Sequence, residues 1–294
     1  MERRHFIQKS ALGAAGIMAS TPLLSSMMSE KIQSFGFQVF TVRDVIQKDM
    51  AGTLKTLKKA GYDYAEFFDF GGGKILGKSI AEAKQIIEKS KIDVKSIHVM
   101  TGAQAPEMTG SLINEWQRGV DDAAELGAEY LVCAYLLDFE RKTLDQYKQL
   151  AELFNKAGEA CKKSGIQFAY HNHDFEFQAI DDVIPYELLL SETDEDLVKM
   201  ELDIYWARYE ELDPIKLFQK NPKRYPLWHV KDMELDNDHI MTEVGNGIID
   251  YKQIFAHEAD AGMKYFFVEQ DRNWKVDPVE SLKTSIKHLK GINY

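Results

Sequence analysis

Two cysteines in 294 residues, with no Cys-x-x-Cys pair, leave this chain without a disulfide framework or a thiolate zinc site. Cys133 falls in an apolar run and Cys161 in a helix-like one, so both read as packed thiols. Positive charge is also short: 36 Lys and Arg stand against 47 Asp and Glu, a formal net charge of -11. With no basic cluster to offset it, nucleic acid is excluded as a partner. Long apolar runs are missing too, so no segment of the mature form is expected to span a bilayer. A phosphate-binding glycine loop is the last absence, since Gly71-Gly72-Gly73-Lys74 lacks the P-loop spacing and reads as a flexible substrate loop. What is present is a hydrophobic fraction of 45%, ordinary for a globular chain whose partners are small molecules.

Residues 1–29 stand apart from the rest. Arg3-Arg4-His5-Phe6-Ile7-Gln8-Lys9 precedes a mild apolar run from Ala11 to Ala19, and Ser- and Thr-rich sequence follows. Paired arginines ahead of a weakly hydrophobic stretch have the form of a twin-arginine export signal, so the expected address is the periplasm. Residues 30–294 contain no linker-like segment and are expected to form one unit.

From about Gln33 one pattern recurs. A polar amphipathic stretch ends at a glycine and an apolar run begins shortly after: Gly61 precedes residues 64–68, Gly127 precedes 130–134, Gly165 precedes 166–171, and Gly262 precedes 265–269. Glycine is the common helix terminator, and a short apolar run bounded in this way is a strand buried on both faces. Further strands near 35–41, 94–99, 198–204 and 225–230 bring the expected total to eight. Helices are expected over 54–59, 80–89, 112–126, 144–163, 185–190, 214–218, 251–261 and 278–290. Eight alternations over about 260 residues match an α/β (β/α)8 TIM barrel in a single domain. The competitor, a doubly wound open sheet, lacks its glycine-rich loop.

In a barrel of parallel strands, polar residues at the C-terminal strand ends converge on one pocket. Those ends carry Arg43, Glu66 with Asp69, His98, His171 with His173, Asp203, His229 with Lys231, and Glu269 with Asp271. Side chains alternate along a strand, so His171 and His173 share a face, as do His229 and Lys231. His171, Asp203, His229 and Glu269 make a mixed imidazole and carboxylate set. Such donors suit one divalent Mn, Co, Zn, Fe or Ni ion better than Mg. Each also has a plainer reading: Asp203 could cap a turn, His229 could be a hydrogen-bonded core histidine, and Glu269 could pair with Lys231 or Arg272.

Taken in order, the segments Gly36-Phe37-Gln38-Val39-Phe40-Thr41-Val42-Arg43-Asp44, Tyr170-His171-Asn172-His173-Asp174, Glu201-Leu202-Asp203-Ile204-Tyr205-Trp206, His229-Val230-Lys231-Asp232-Met233, Val244-Gly245-Asn246-Gly247-Ile248-Ile249-Asp250-Tyr251 and Val268-Glu269-Gln270-Asp271 resemble the xylose isomerase-like barrel superfamily. Within it the chain is similar to exported proteins of the sugar phosphate isomerase/epimerase type. The resemblance implies one divalent metal held from strands five to eight. Asp203, His229 and Glu269 match the positions of relatives' ligands, while His171 stands where many relatives have a glutamate. An imidazole there removes a negative charge and changes which proton can be moved. Whether His171 or His173 serves as the ligand stays open.

The chemistry implied is proton abstraction beside a carbonyl, through an enediolate. Glu269 is the first candidate for ligand and acid/base, Lys231 for oxyanion stabilisation or proton donation, and His171 for proton movement at the relatives' glutamate position. Glu66, His98, His173 and Arg43 are candidates for binding sugar hydroxyls, with Trp206 as an apolar wall. The expected function is a metal-dependent isomerase or epimerase of a sugar or keto-sugar. A 3-keto-glycoside lyase or hydrolase using the same metal site is the alternative, and a non-catalytic carbohydrate-binding barrel is a third reading. The partner is a small-molecule carbohydrate, and a homo-oligomer is compatible with all three.

Overall fold

The computed structural model describes residues 31–235 and 239–294, so the export-signal reading of residues 1–29 lies outside the described residues. Eight strands close into a barrel: β1 (Gly36–Gln38), β2 (Tyr64–Phe67), β3 (Asp93–Val99), β4 (Tyr130–Cys133), β5 (Gln167–His171), β6 (Val198–Asp203), β7 (Leu227–Val230) and β8 (Tyr265–Val268). Every pairing is parallel and between neighbours in sequence, with β8 returning to β1. This is the TIM barrel the alternation predicts.

Alternation along the strands divides the apolar residues into two cores. Phe37, Phe67, Leu131, Phe168, Leu202, Trp228 and Phe266 belong to the large cluster that also holds the helix side chains. Tyr64, Val132, Ala169, Leu227 and Phe267 form a separate small cluster, the packed interior of the barrel. Two residues further along the same faces come Glu66, His171, His229 and Glu269. The inward faces therefore run from an apolar floor to a polar mouth, and strand register brings His171 beside Glu201 and His229 beside Asp203.

Helices cover the outside. The longest, Leu144–Lys163, starts at a reciprocal cap in which Thr143 and Gln146 each accept from the other's backbone N–H, and it buries Tyr147, Leu150, Ala151, Phe154, Ala157, Gly158 and Cys161 along one face. Both cysteines are buried and free, and burial raises both thiols, Cys161 to about 12.

Three local expectations need correction. The glycine run is no loose loop, because Phe70–Gly71, Lys74–Ile75 and Lys78–Ser79 pair as a three-stranded antiparallel sheet. The helix expected from residue 112 begins at Trp116, since the amides of Leu112 and Ile113 are spent on the carbonyls of Met100 and Thr101. The first strand stops at Gln38, whose side chain accepts from the Phe40 amide at 3.0 Å and turns the chain into a 3-10 helix at Val39–Val42.

Candidate metal centre and active site

At the polar mouth two groups of potential ligands share one ring. Asp203, His229 and Glu269 form the first, and His98, His171, Glu201 and His229 the second; within each group the donor atoms lie within 4.8 Å of one another. His229 Nδ1 is 2.7 Å from Glu269 Oε2 and 3.9 Å from Asp203 Oδ2, while its Nε2 is 2.6 Å from Glu66 Oε1 and 3.3 Å from Glu201 Oε2. His171 divides its nitrogens in the same way, with Nε2 at 3.6 Å from Asp203 Oδ2 and Nδ1 at 3.2 Å from Glu201 Oε2.

The Lys231 ammonium sits in the midst of the carboxylates, 2.8 Å from Asp203, 2.7 Å from Glu269 and 3.0 Å from Asp271. Burial opposes charge on Lys231, yet Asp203, Asp271 and Glu269 outweigh it and hold the ammonium protonated. Burial would likewise raise Glu269, but Lys231 and His229 keep it below the usual carboxylate range. Asp271 goes the other way: burial and the Glu269 charge push it up to about 6 despite Lys231. His171 is pulled down by burial and by the neighbouring His229, so it is held as the neutral imidazole that metal ligation requires. His98 is opposed by burial but lifted to about 9 by Glu66 and Glu201.

A cavity of roughly 460 Å³ opens at this end of the barrel. Its polar side is made by His98, His171, His173, Lys231, Glu269 and Asp271, and its apolar side by Phe40, Phe68, Phe70, Met100, Met108 and Tyr135. Three expected substrate contacts lie elsewhere. Glu66 is fully buried beneath the cavity, accepting from Gln38 at 2.6 Å. Arg43 donates to the carbonyls of Phe40 and Asp271 and stacks on Phe40 and Trp274. Trp206 is behind the cavity, its ring 5.7 Å from His173 and 5.0 Å from Tyr205. His173 belongs to neither ligand group: its ring meets that of His171 at 4.9 Å, stacks on Phe175 and meets Tyr135 edge-on, which places it in the cavity wall.

The plainer readings hold alongside the metal geometry. Asp203 accepts from the Trp206 amide at 3.1 Å and caps the short helix Ile204–Tyr209, which aims its other oxygen at the cluster. Sequence reasoning passed over Glu201, although it lies two residues before Asp203 on the same strand face. It also gave Asp271 no role, although it shares the mouth with Glu269.

Helices wrapped around an eight-stranded closed barrel, with imidazoles and carboxylates at its mouth, are accompanied by a direct sequence match: the profile of the xylose isomerase-like TIM barrel family covers residues 54–292. The chain belongs to this family. Among solved xylose isomerase-like barrels, a sugar phosphate isomerase/epimerase from Parabacteroides distasonis is similar at 27% identity and a TM-score of 0.74, over 90% of this chain and 96% of that one. The IOLI protein, solved with a binding zinc atom, shares the fold at 17% identity and a TM-score of 0.67, over 87% of this chain and 96% of that one. An inosose dehydratase of Clostridium perfringens is 27% identical over 165 residues, 50% of this chain and 54% of the relative. The chain thus spans about half the length of the curated relatives it matches.

The residues present fit a divalent cation. Three of the donors are buried imidazole or carboxylate groups within ligation reach, and His171 Nδ1, Glu201 Oε1 and Glu66 Oε2 have no hydrogen-bond partner among the described residues.

Proposed function

We propose that this xylose isomerase-like barrel is a divalent-metal-dependent isomerase or epimerase of a sugar or keto-sugar. The observation that carries the reading is the convergence of Asp203, His229 and Glu269 beside a cavity that Lys231 and Asp271 also face. Asp203, His229 and Glu269, with His171 from the neighbouring strand, would hold the cation. Bound there, it would supply Lewis acidity to a carbonyl oxygen of the substrate.

The chain's own groups account for the proton movements. A carboxylate takes the proton from the carbon beside the carbonyl, the electron pair moves to the oxygen, and the enediolate recovers a proton at the same or the neighbouring carbon. Glu269 faces the cavity ionised, and Asp271, lifted to about 6, can hold or release a proton near neutrality. Lys231 supplies positive charge on the same side, pinned by three carboxylates. His98 and His173 would hold sugar hydroxyls.

Elimination from the same enediolate is the second reading, with a 3-keto-glycoside as substrate. Two observations favour it: the apolar side of the cavity would accommodate an aglycone, and the C. perfringens relative is a dehydratase by name. Both readings require exchange of the hydrogen beside the carbonyl, so metal-loaded protein should wash deuterium from solvent into its substrate. Free ketohexoses and 3-keto-glycosides then separate them by product, epimer or released aglycone. Absence of exchange in both substrate classes would overturn the proposal.

The ligand set has its own test. Asp203→Asn should lose turnover together with one equivalent of bound metal, and Lys231→Met should keep the metal while turnover falls about 100-fold or more. Unchanged metal content in Asp203→Asn would remove Asp203 from the site. Export through the twin-arginine route is part of the same proposal and rests on Arg3-Arg4.

A further inference from the structure

We propose that the half of the mouth built from β1–β4 is a subsite for an aromatic ring, so that the substrate is a sugar carrying an aryl substituent rather than a free monosaccharide. The inference rests on the proposed function, which puts the reacting carbon beside Asp203 and Glu269. Around the ring of strands the cavity lining divides in two. The ends of β5–β8 deliver His171, Lys231, Glu269 and Asp271, whereas β1–β4 and the loops after them deliver Phe40, Phe68, Phe70, Met100, Met108 and Tyr135. A substrate that fills such a cavity has one polar end and one apolar end.

The apolar half offers little to a hydroxyl group. Its polar members are His98, which bonds inward to Glu201 at 2.7 Å, Asp69 at the exposed edge and the Tyr135 hydroxyl. Sugar hydroxyls laid along the phenylalanines and methionines would lose water without gaining partners. An aromatic ring has no such groups to satisfy, and the wall matches it in kind. Phe40 and Phe68 stand edge to face, with centroids 5.2 Å apart and planes at 83°, and the Arg43 guanidinium covers Phe40 at 4.3 Å. On the far side of β3 the Tyr135 ring meets His173 edge-on at 4.8 Å. Phe40, Phe68 and Tyr135 are only half-buried, so each keeps free ring surface, and β3 between them contributes the polarisable thioethers of Met100 and Met108.

The glycine run braces this wall. Gly71 and Gly72 adopt φ values of +148° and +61°, which glycine takes without strain. The Gly72 amide donates to the Thr109 carbonyl at 2.7 Å, and a Cβ on Gly71 would lie 3.3 Å from Met108 Cγ. Phe70, on the first strand of the small antiparallel sheet, is thereby held next to the loop that carries Met108. The sheet and the loop fix the apolar side chains before a guest arrives, which lowers the ordering cost of binding.

The test reads binding rather than turnover. Methyl, cyclohexyl and phenyl β-glucosides, which lack the ketone, are titrated calorimetrically into the metal-loaded full chain. Phenyl glucoside should bind about tenfold or more tightly than methyl glucoside, and about threefold or more tightly than cyclohexyl glucoside. In protein with isotope-labelled methionine methyl groups, the ring current of the phenyl compound should shift the Met100 and Met108 signals, and methyl glucoside should leave them in place. Phe68→Ala and Met108→Ala should each cut the preference for phenyl over methyl to about a third or less. Equal binding of phenyl and methyl glucosides, or binding of neither, overturns the proposal, and cyclohexyl glucoside matching phenyl overturns the aromatic assignment. If a variant fails to fold, the ranking and the methionine shifts in the unmodified protein still decide. The two failures are distinguishable, because absent deuterium exchange overturns the enediolate reaction and equal glucoside binding overturns only the aryl subsite.

Discussion

Glu176 is fully buried at the end of the fifth strand's loop, accepting from the Tyr170 hydroxyl and, at 2.8 Å, from the His173 amide. It thereby fixes where His173 stands in the cavity wall. Burial lifts its carboxyl from 4.5 to about 7, against the lowering effect of both hydrogen bonds. A pKa raised on folding means that the folded chain binds the proton more tightly than the unfolded one. The stabilisation is therefore complete below the unfolded value of 4.5 and is lost as pH rises through about 7. For a fully buried group this swing amounts to roughly 3 kcal/mol. Glu176→Gln carries no such titration, so the stability of the variant relative to the unmodified protein should rise between pH 4.5 and 8, read by urea denaturation at each pH. A pH-independent difference would show that Glu176 keeps its ordinary pKa.

The element most exposed to small changes is β1, which has three residues and joins both ends of the sheet. Gly36 lies where Tyr64 passes over the strand, and a Cβ there would come 2.1 Å from the Tyr64 ring and 2.5 Å from the Phe266 carbonyl oxygen. The conflict is one of space, since Tyr64 is part of the interior cluster and its hydroxyl also accepts from the Phe266 amide at 3.3 Å. Gly36→Ala should cost about 1–3 kcal/mol in denaturant unfolding, and an unaffected midpoint would show that the barrel closes with slack at this seam. A second element depends on a single carboxylate. Asp232 accepts from the amides of Met233, Gly245, Gly247 and Ile249, tying two sequence motifs that stand more than ten residues apart into one rigid loop beside Lys231. The Tyr251 hydroxyl, donating to the Lys231 carbonyl, secures the same corner.

At the scale of the whole molecule, the ring of strands converts eight separate strand ends into one buried, carboxylate-rich mouth. A formal charge of -11 agrees with the proposed function, in which the substrate is a neutral carbohydrate rather than a phosphorylated one. The proposed export of the chain is consistent with that preference. Arg3→Lys with Arg4→Lys should leave the protein in the cytoplasm at unchanged total level, measured by fractionation and immunoblotting. Continued arrival in the periplasm would sink the twin-arginine assignment.

Strand and helix order was readable in the chain because each signal is local: a glycine after a polar helix, then an apolar run short enough to be a buried strand. The identity of most polar mouth residues followed from the same reading, because a strand end is a position in sequence. Their grouping did not follow. Which of His171 and His173 approaches Asp203, the withdrawal of Glu66 and Trp206 from the cavity, and the recruitment of Glu201 all depend on register and strand tilt around a closed ring. The sequence by itself thus determined the fold and the kinds of donor available, since both arise from periodicity and residue type. Only the tertiary structure decided that one ammonium is caught among three carboxylates and that two imidazoles face both ways, because those are distances between strands that no run of neighbouring residues encodes.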